Sequence, residues 1–225
     1  MGRKGNRRHV KSLSAPNFFG IERKGYAYVA KPRAGRHTGD RCITANLILD
    51  RLNATKNRSE SDRIIKERKV SVNNRRIRDP KYPVGFNDIV DIDGFGRYIV
   101  SVDRKAKARL LEYKEGMPRV LKVVGKYRYR KGEIMLRLHD GTLIKGGSAA
   151  KINDSVTLDG KRVTNIIKMR EGAECFVIDG VHVGTLGKIV SIKEGTRTSG
   201  RAVEVENSER EERFETVAEN IIVTS

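Results

Sequence analysis

From Arg97 to Ser225 the chain is written in short β-branched runs, each stopped by residues that turn a backbone. Tyr98 to Val102, Arg119 to Val124, Ile134 to Leu138, Ser155 to Leu158, Arg162 to Ile167 and Cys175 to Ile178 read as strands. Asp93-Gly94, Asp140-Gly141, Asp159-Gly160 and Asp179-Gly180 punctuate them, and Asp-Gly suits the left-handed angles of tight turns. Regular short strands of this kind predict small antiparallel barrels. A Rossmann-type fold would need helices alternating with the strands, and this stretch has none in its pattern.

Upstream the period changes. Ile43, Leu47, Ile48 and Leu52 recur at helical spacing and predict one helix over Ile43 to Leu52. A second helix is expected to start near Ser59 as N-cap, with Asp62 three residues on as a capping-box variant, and to carry Ile64 and Ile65 on its face. Val70 and Val72 then alternate as strand, Asn73-Asn74 supplies a turn with positive φ, and Tyr82-Pro83-Val84 leads into Ile89-Val90-Asp91-Ile92. Before residue 42 no period is sustained. The chain therefore reads as an α+β, multi-domain protein of 225 residues: a basic N-terminal arm (1–41), a two-helix-plus-hairpin module (42–92), a central antiparallel β domain (93–169) and a C-terminal β module (170–225).

Charge follows this division. The net formal charge is +19, made of +9, +4, +10 and −4 in the four segments. Such an excess repels itself in a compact chain, and a polyanion is the natural compensation. An anionic membrane surface would call for an amphipathic helix with an aromatic face, whereas Trp is absent and the cations are spread along the chain. No apolar run approaches the ~20 residues of a membrane span. The start, Met1 to Asn6, has neither a signal peptide's apolar core nor a myristoylation pattern. Cys42 and Cys175 stand far apart and no Cys/His spacing suits zinc, so free thiols in a reducing, cytoplasmic setting are expected. His9, His37, His139 and His182 are isolated; no catalytic residue, metal, cofactor or small-molecule substrate is expected.

Nucleic acid is the expected partner. Arg3, Lys4, Arg7, Arg8 and Lys11 form an arm expected to order on RNA. Arg58, Arg63, Lys66, Arg68 and Lys69, with Arg75, Arg76 and Arg78 after the turn, would form a basic face tracking phosphates, where Arg offers bidentate contacts. Lys126 to Lys131 interleaves cations with Tyr127 and Tyr129; core packing of the tyrosines is the favoured reading and base stacking the alternative. In Val181 to Ile192, apolar residues flank Gly184 and Gly187, glycines that suit a tight turn between two strands or a close backbone approach. Both flanks read as strand, unlike the helix-joining Gly-x-x-Gly clamp of KH domains.

The block Arg58-Ser59, Asp62, Arg63, Ile64-Ile65, Val70-Ser71-Val72-Asn73, Tyr82-Pro83-Val84 and Asp88-Ile89 resembles the RNA-binding domain named after bacterial small-subunit ribosomal protein four. Val181 to Ile192 resembles a KOW motif, the core of an SH3-like barrel. Lys11 to Phe19 is similar to a third segment, found at the N-terminus of one family. In this order, over essentially the full chain, they resemble the archaeal and eukaryotic e-type family of small-subunit ribosomal protein four, and the short length suits an archaeal member. Asn74 stands where that family has a turn Gly, and Gly39-Asp40-Arg41 departs from its pattern.

The resemblance implies a structural, non-enzymatic role bound to ribosomal RNA and neighbouring ribosomal proteins. Arg36, His37, Asn73, Gly184, Gly187 and Lys188 complete the expected RNA contacts. Two rivals are an RNA-modifying enzyme, which would need a catalytic domain, and a KOW-containing transcription elongation factor. The second would use the acidic run of Glu204, Glu206, Glu209, Glu211, Glu212 and Glu215 against a basic protein. The arm and the helical module count against it.

Overall fold

The computed structural model describes residues 9–225 except 115, 118, 130, 131, 148, 160, 161, 196–199 and 211, with only the backbone of 159 and 162. It divides into two units, Met1–Val102 with Lys107–Glu115, and Asp103–Ala106 with Gly116–Ser225. The first runs β1 (Val10–Lys11), β2 (Tyr28–Val29), β3 (Cys42–Thr44), α1 (Ala45–Arg51), α2 (Arg58–Lys66), β4 (Val70–Val72), β5 (Arg75–Arg76), β6 (Pro83–Gly85), β7 (Ile89–Ile92), β8 (Gly96–Val102) and β9 (Ala108–Glu112). The second runs β10 (Arg119–Arg128), β11 (Ile134–Leu138), β12 (Leu143–Lys145), β13 (Ser155–Asp159), β14 (Arg162–Ile167), β15 (Glu174–Val177), β16 (Leu186–Lys193), β17 (Ala202–Asn207), β18 (Arg213–Val217) and β19 (Ile221–Val223). Every pairing among the described residues is antiparallel, and with the two helices this is the α+β class expected.

Helix α1 is shorter than its apolar period predicts. Thr44 stays extended (φ −79°, ψ 147°), and the β-branched pair Ile43-Thr44 belongs to β3, opposite Val84 and Pro83 of β6. Ile48 and Leu49 form the fully buried stripe of α1, while Leu47 and Leu52 are half-buried. Arg51, at the end of α1, donates to the carbonyls of Ala108 (2.6 Å) and Gly20 (2.8 Å), tying strand β9 and the N-terminal segment to the helix. That segment is no loose arm from His9 onward: Phe18 and Phe19 fall into the core, Phe19 completely. Apolar residues without a period can still fill a core through irregular backbone, which is why the patterning missed them.

The five-stranded sheet of this unit has the order β5-β4-β7-β8-β9. Its β7–β8 hairpin closes at Asp93-Gly94, with Ile92 opposite Gly96 and Gly94 at φ +79°. The division drawn at residue 93 thus falls inside a hairpin, and β8 and β9 extend the sheet of the helical module. An Asp-Gly turn marks a reversal between paired strands as readily as a domain border. Edge strand β5 presents two arginines, a common device against edge-to-edge pairing.

In the second unit, one sheet has the order β12-β11-β10-β13-β14 over a core of Leu121, Val123, Leu136, Leu138, Ile144, Ala150 and Val156. The other has the order β18-β17-β16-β15-β19 over Cys175, Val177, Ile189, Val203, Val205, Ile221 and Val223. Asp140-Gly141 turns the chain from β11 to β12; burial pushes the Asp140 carboxyl up, but hydrogen bonds from Thr142 and the charge of Arg119 outweigh it and hold it low. Tyr127 and Tyr129 are 40% and 49% exposed, so they do not pack in the core. The register of β10 against β11 shifts between Val123 and Gly125, and the extra residue inverts the alternation after Val123.

Lys122 joins the two sheets. It is 3% exposed, and its Nζ donates to the carbonyls of Ala218 (2.5 Å) and Ile221 (2.9 Å). Burial pulls its pKa from 10.5 down to about 8, against the opposing charge of Glu219. The unfolded chain therefore holds a proton that the folded chain releases, and Lys122 becomes less costly to stability as pH rises from about 8 towards 10.5. Urea unfolding of the wild type and Lys122→Met at about pH 7.5 and about pH 10 checks this. The difference between the two proteins is expected to shift in the wild type's favour at the higher pH. Both cysteines are fully buried and unpaired, and burial pushes each thiol up to about 12.

Candidate nucleic-acid interface

The N-cap of helix α2 lies two residues earlier than its sequence predicts. Asn57 is the N-cap, in extended conformation, and Glu60 rather than Asp62 closes the first turn by accepting from the Lys56 N–H (2.9 Å). Ser61 and Ile65 are its buried residues; Ser61 Oγ donates to Asp50 Oδ1 of α1 at 2.7 Å. This stripe turns Arg58, Arg63 and Lys66 outward. The chain leaves α2 through Arg68, which holds φ +63°, a left-handed angle that usually selects Gly or Asn. Arg76 Nη1 braces it by donating to the Arg68 carbonyl (2.9 Å). Lys69 follows, then β4, and the predicted turn is present: Asn73 and Asn74 have φ +51° and +63°. Arg75, Arg76 and Arg78 lie beyond it, all exposed.

The structure thus brings together Arg58, Arg63, Lys66, Arg68, Lys69, Arg75, Arg76 and Arg78 around one helix and one hairpin. They are not equivalent. Arg63 (2.9 Å) and Lys69 (2.7 Å) share Glu67, whose carboxyl is held below its usual range by Lys69 first and Arg63 second. Arg76 pairs with Asp93 at 3.2 Å. Among the described residues Arg58, Lys66, Arg68, Arg75 and Arg78 have no ion-pair partner, which leaves five cations for an external anion.

Other expected contacts lie elsewhere. Lys11, on β1, and Arg36 are exposed. Arg3, Lys4, Arg7 and Arg8 lie outside the described residues. His37 is a correction: its side chain is 6% exposed and Nε2 meets Asp88 Oδ2 at 2.7 Å, so no phosphate reaches it. Asn73 is another, because its side chain is used internally, Nδ2 donating to Asp88 Oδ1 (2.7 Å) and Oδ1 accepting from Ile89 N–H (2.9 Å). Asp88, absent from the sequence-based candidates, is the buried hub of this arrangement and also accepts from Gly85 N–H at 3.0 Å. A lone Asp before an apolar strand carries no signal of that role.

Gly184, Gly187 and Lys188 belong to the second unit. Gly184 has φ +78° in the loop between β15 and β16, while Gly187 lies inside β16 and is buried. A Cβ on Gly187 would come within 2.5 Å of Val205 Cγ1 and 2.6 Å of the Glu206 carbonyl, so that glycine is required by packing on β17. Val181 to Thr185 is turn rather than strand, with Val181 92% exposed; Lys188 is exposed on β16. Of the acidic run, Glu206 pairs with Arg213 (3.2 Å), Glu215 with Lys193 (3.3 Å) and Glu209 with Arg104.

Two family models match the chain: an RS4NT (NUC023) domain over residues 4–40 and an S4 domain over residues 46–90. The small ribosomal subunit protein eS4 of Methanocella arvoryzae is 31% identical to it, over 96% of this chain and 93% of that protein. The chain belongs to the eS4 family. The eS4 protein of Archaeoglobus fulgidus is 32% identical over 90% of this chain and 88% of its own length. The crystal structure of the 30S ribosomal protein S4e from Thermoplasma acidophilum superposes with a TM-score of 0.70 at 26% identity, covering 83% of this chain and 96% of that one. In this eS4 chain the S4 match contains α1 from Asn46 onward, α2 and the β4–β5 hairpin, hence the whole cationic cluster. The RS4NT match covers the segment in which Phe18 and Phe19 are buried.

Proposed function

We propose that this protein is a non-enzymatic structural constituent of the small ribosomal subunit in the cytoplasm, holding ribosomal RNA and supporting translation. The observation that carries this reading is the coincidence of the S4 domain match with the exposed cations of α2 and the β4–β5 hairpin, in a chain whose relatives are small ribosomal subunit proteins. Five cations without an ion-pair partner around a helix and hairpin suit the phosphates of folded RNA, which is read largely through shape and backbone. The basic N-terminal arm, +9 over residues 1–41, adds to the grip.

In the second unit the sheet order β18-β17-β16-β15-β19, a meander whose last strand returns beside its first, supports an SH3-like barrel carrying a KOW motif over Val181 to Ile192. Three glutamates of its acidic run pair with Arg213, Lys193 and Arg104 and residues 170–225 stay net negative, so this face meets solvent or a neighbouring ribosomal protein rather than RNA. Affinity purification of the tagged full chain tests the reading. Small subunits with their RNA are the expected company; recovery with RNA polymerase in their place would overturn it.

A further inference from the structure

Strand β10 carries a surface unlike the phosphate-binding cluster. After the bulge at Val124, Gly125 stands opposite Arg137 and Tyr127 opposite Met135. Successive residues of a strand point to opposite faces, so Tyr127 and Arg137 share the face away from Leu136, which is fully buried. Gly125 leaves room on that face: a Cβ there would lie 3.5 Å from Arg137 Nε and 3.8 Å from Nη2, so the guanidinium rests over the glycine next to the tyrosine in the strand. Tyr127 is 40% exposed, and among the described residues its ring stacks on no other. The Arg137 side chain is exposed and, among the described residues, makes neither a hydrogen bond nor an ion pair. Leu143, 51% exposed, flanks Arg137 on β12.

We propose that this face binds an unpaired RNA nucleotide, its base stacked on Tyr127 and its phosphate or base edge held by Arg137. The proposal rests on the RNA-binding function above and adds a second surface to it. Charge complementarity selects the occupant: residues 93–169 carry +10, and an arginine without a carboxylate partner beside an open aromatic ring matches an anionic chain of flat bases. The bulge is the device that makes the site, since it turns the tyrosine from core to solvent.

The test uses the full chain with a short unpaired RNA of mixed sequence and a perfect duplex of the same length, bound at fixed salt. Tyr127→Ala is expected to weaken binding of the unpaired RNA about tenfold and to leave its salt slope unchanged, because stacking is lost without a phosphate contact. Tyr127→Phe keeps the wild-type affinity, and duplex binding does not change. With 4-thiouridine in the unpaired RNA, irradiation of the wild type is expected to crosslink the peptide containing Tyr127, a readout independent of any variant's folding. Equal affinity of Tyr127→Ala and wild type, with crosslinks confined to α2 and the β4–β5 hairpin, would overturn the proposal and leave RNA binding standing. If the wild type binds neither RNA, both fall together.

Discussion

Replacing Asp88 with Ala is expected to lower stability by about 3–5 kcal/mol, because it removes the acceptor of a buried network and strands its donors. Asp88 is 1% exposed and accepts from the His37 ring (2.7 Å), the Asn73 amide (2.7 Å) and the Gly85 N–H (3.0 Å). Those contacts join the segment before β3 to the β4–β5 turn and to β6. The thermal midpoint should fall by roughly 10 °C. Asp91→Ala is the control: it breaks a half-exposed pair with Arg97 (3.1 Å) and should cost at most about 1 kcal/mol. Calorimetry of the two variants decides; equal effects would mean that the Asp88 network is no more than a surface contact.

Replacing Arg58, Lys66, Arg75 and Arg78 together with Ala should weaken binding to small-subunit ribosomal RNA on the order of a thousandfold at 0.1 M salt. Each lost phosphate contact removes about 0.7–0.9 from the slope of log affinity against log salt, so the slope should fall by roughly 3. Glu67→Gln should act in the opposite direction, since it frees Arg63 and Lys69 from the carboxylate they share. A salt titration of RNA binding reads both changes. If the fourfold variant keeps the wild-type slope, the α2–hairpin surface is not where phosphates are held.

The helix–helix–hairpin order, the Asn73-Asn74 turn and most strands after Arg97 were legible because their signals are local. Positive φ at an Asn pair and alternation of β-branched residues are properties of a few consecutive residues. The cations of α2 and the hairpin were legible for the same reason, since Ile65 and the β4 valines orient everything around them. His37 and Asn73 were misplaced because a polar side chain reads alike whether it faces water or a buried carboxylate 51 or 15 residues away in sequence.

Tyr127 lies on one of the short strands that follow Arg97. Their existence, their antiparallel character and the excess of positive charge follow from residue types and spacing alone. The phase of β10 does not: one extra residue at Val124 inverts which side chains meet the core, and only pairing with β11 reveals it. Gly125, isolated within a strand pattern, was the one local hint of that bulge. The burial of Lys122 against two carbonyls of a distant turn had no hint at all, because contacts across 96 and 99 residues arise from packing and leave no mark on the neighbouring sequence.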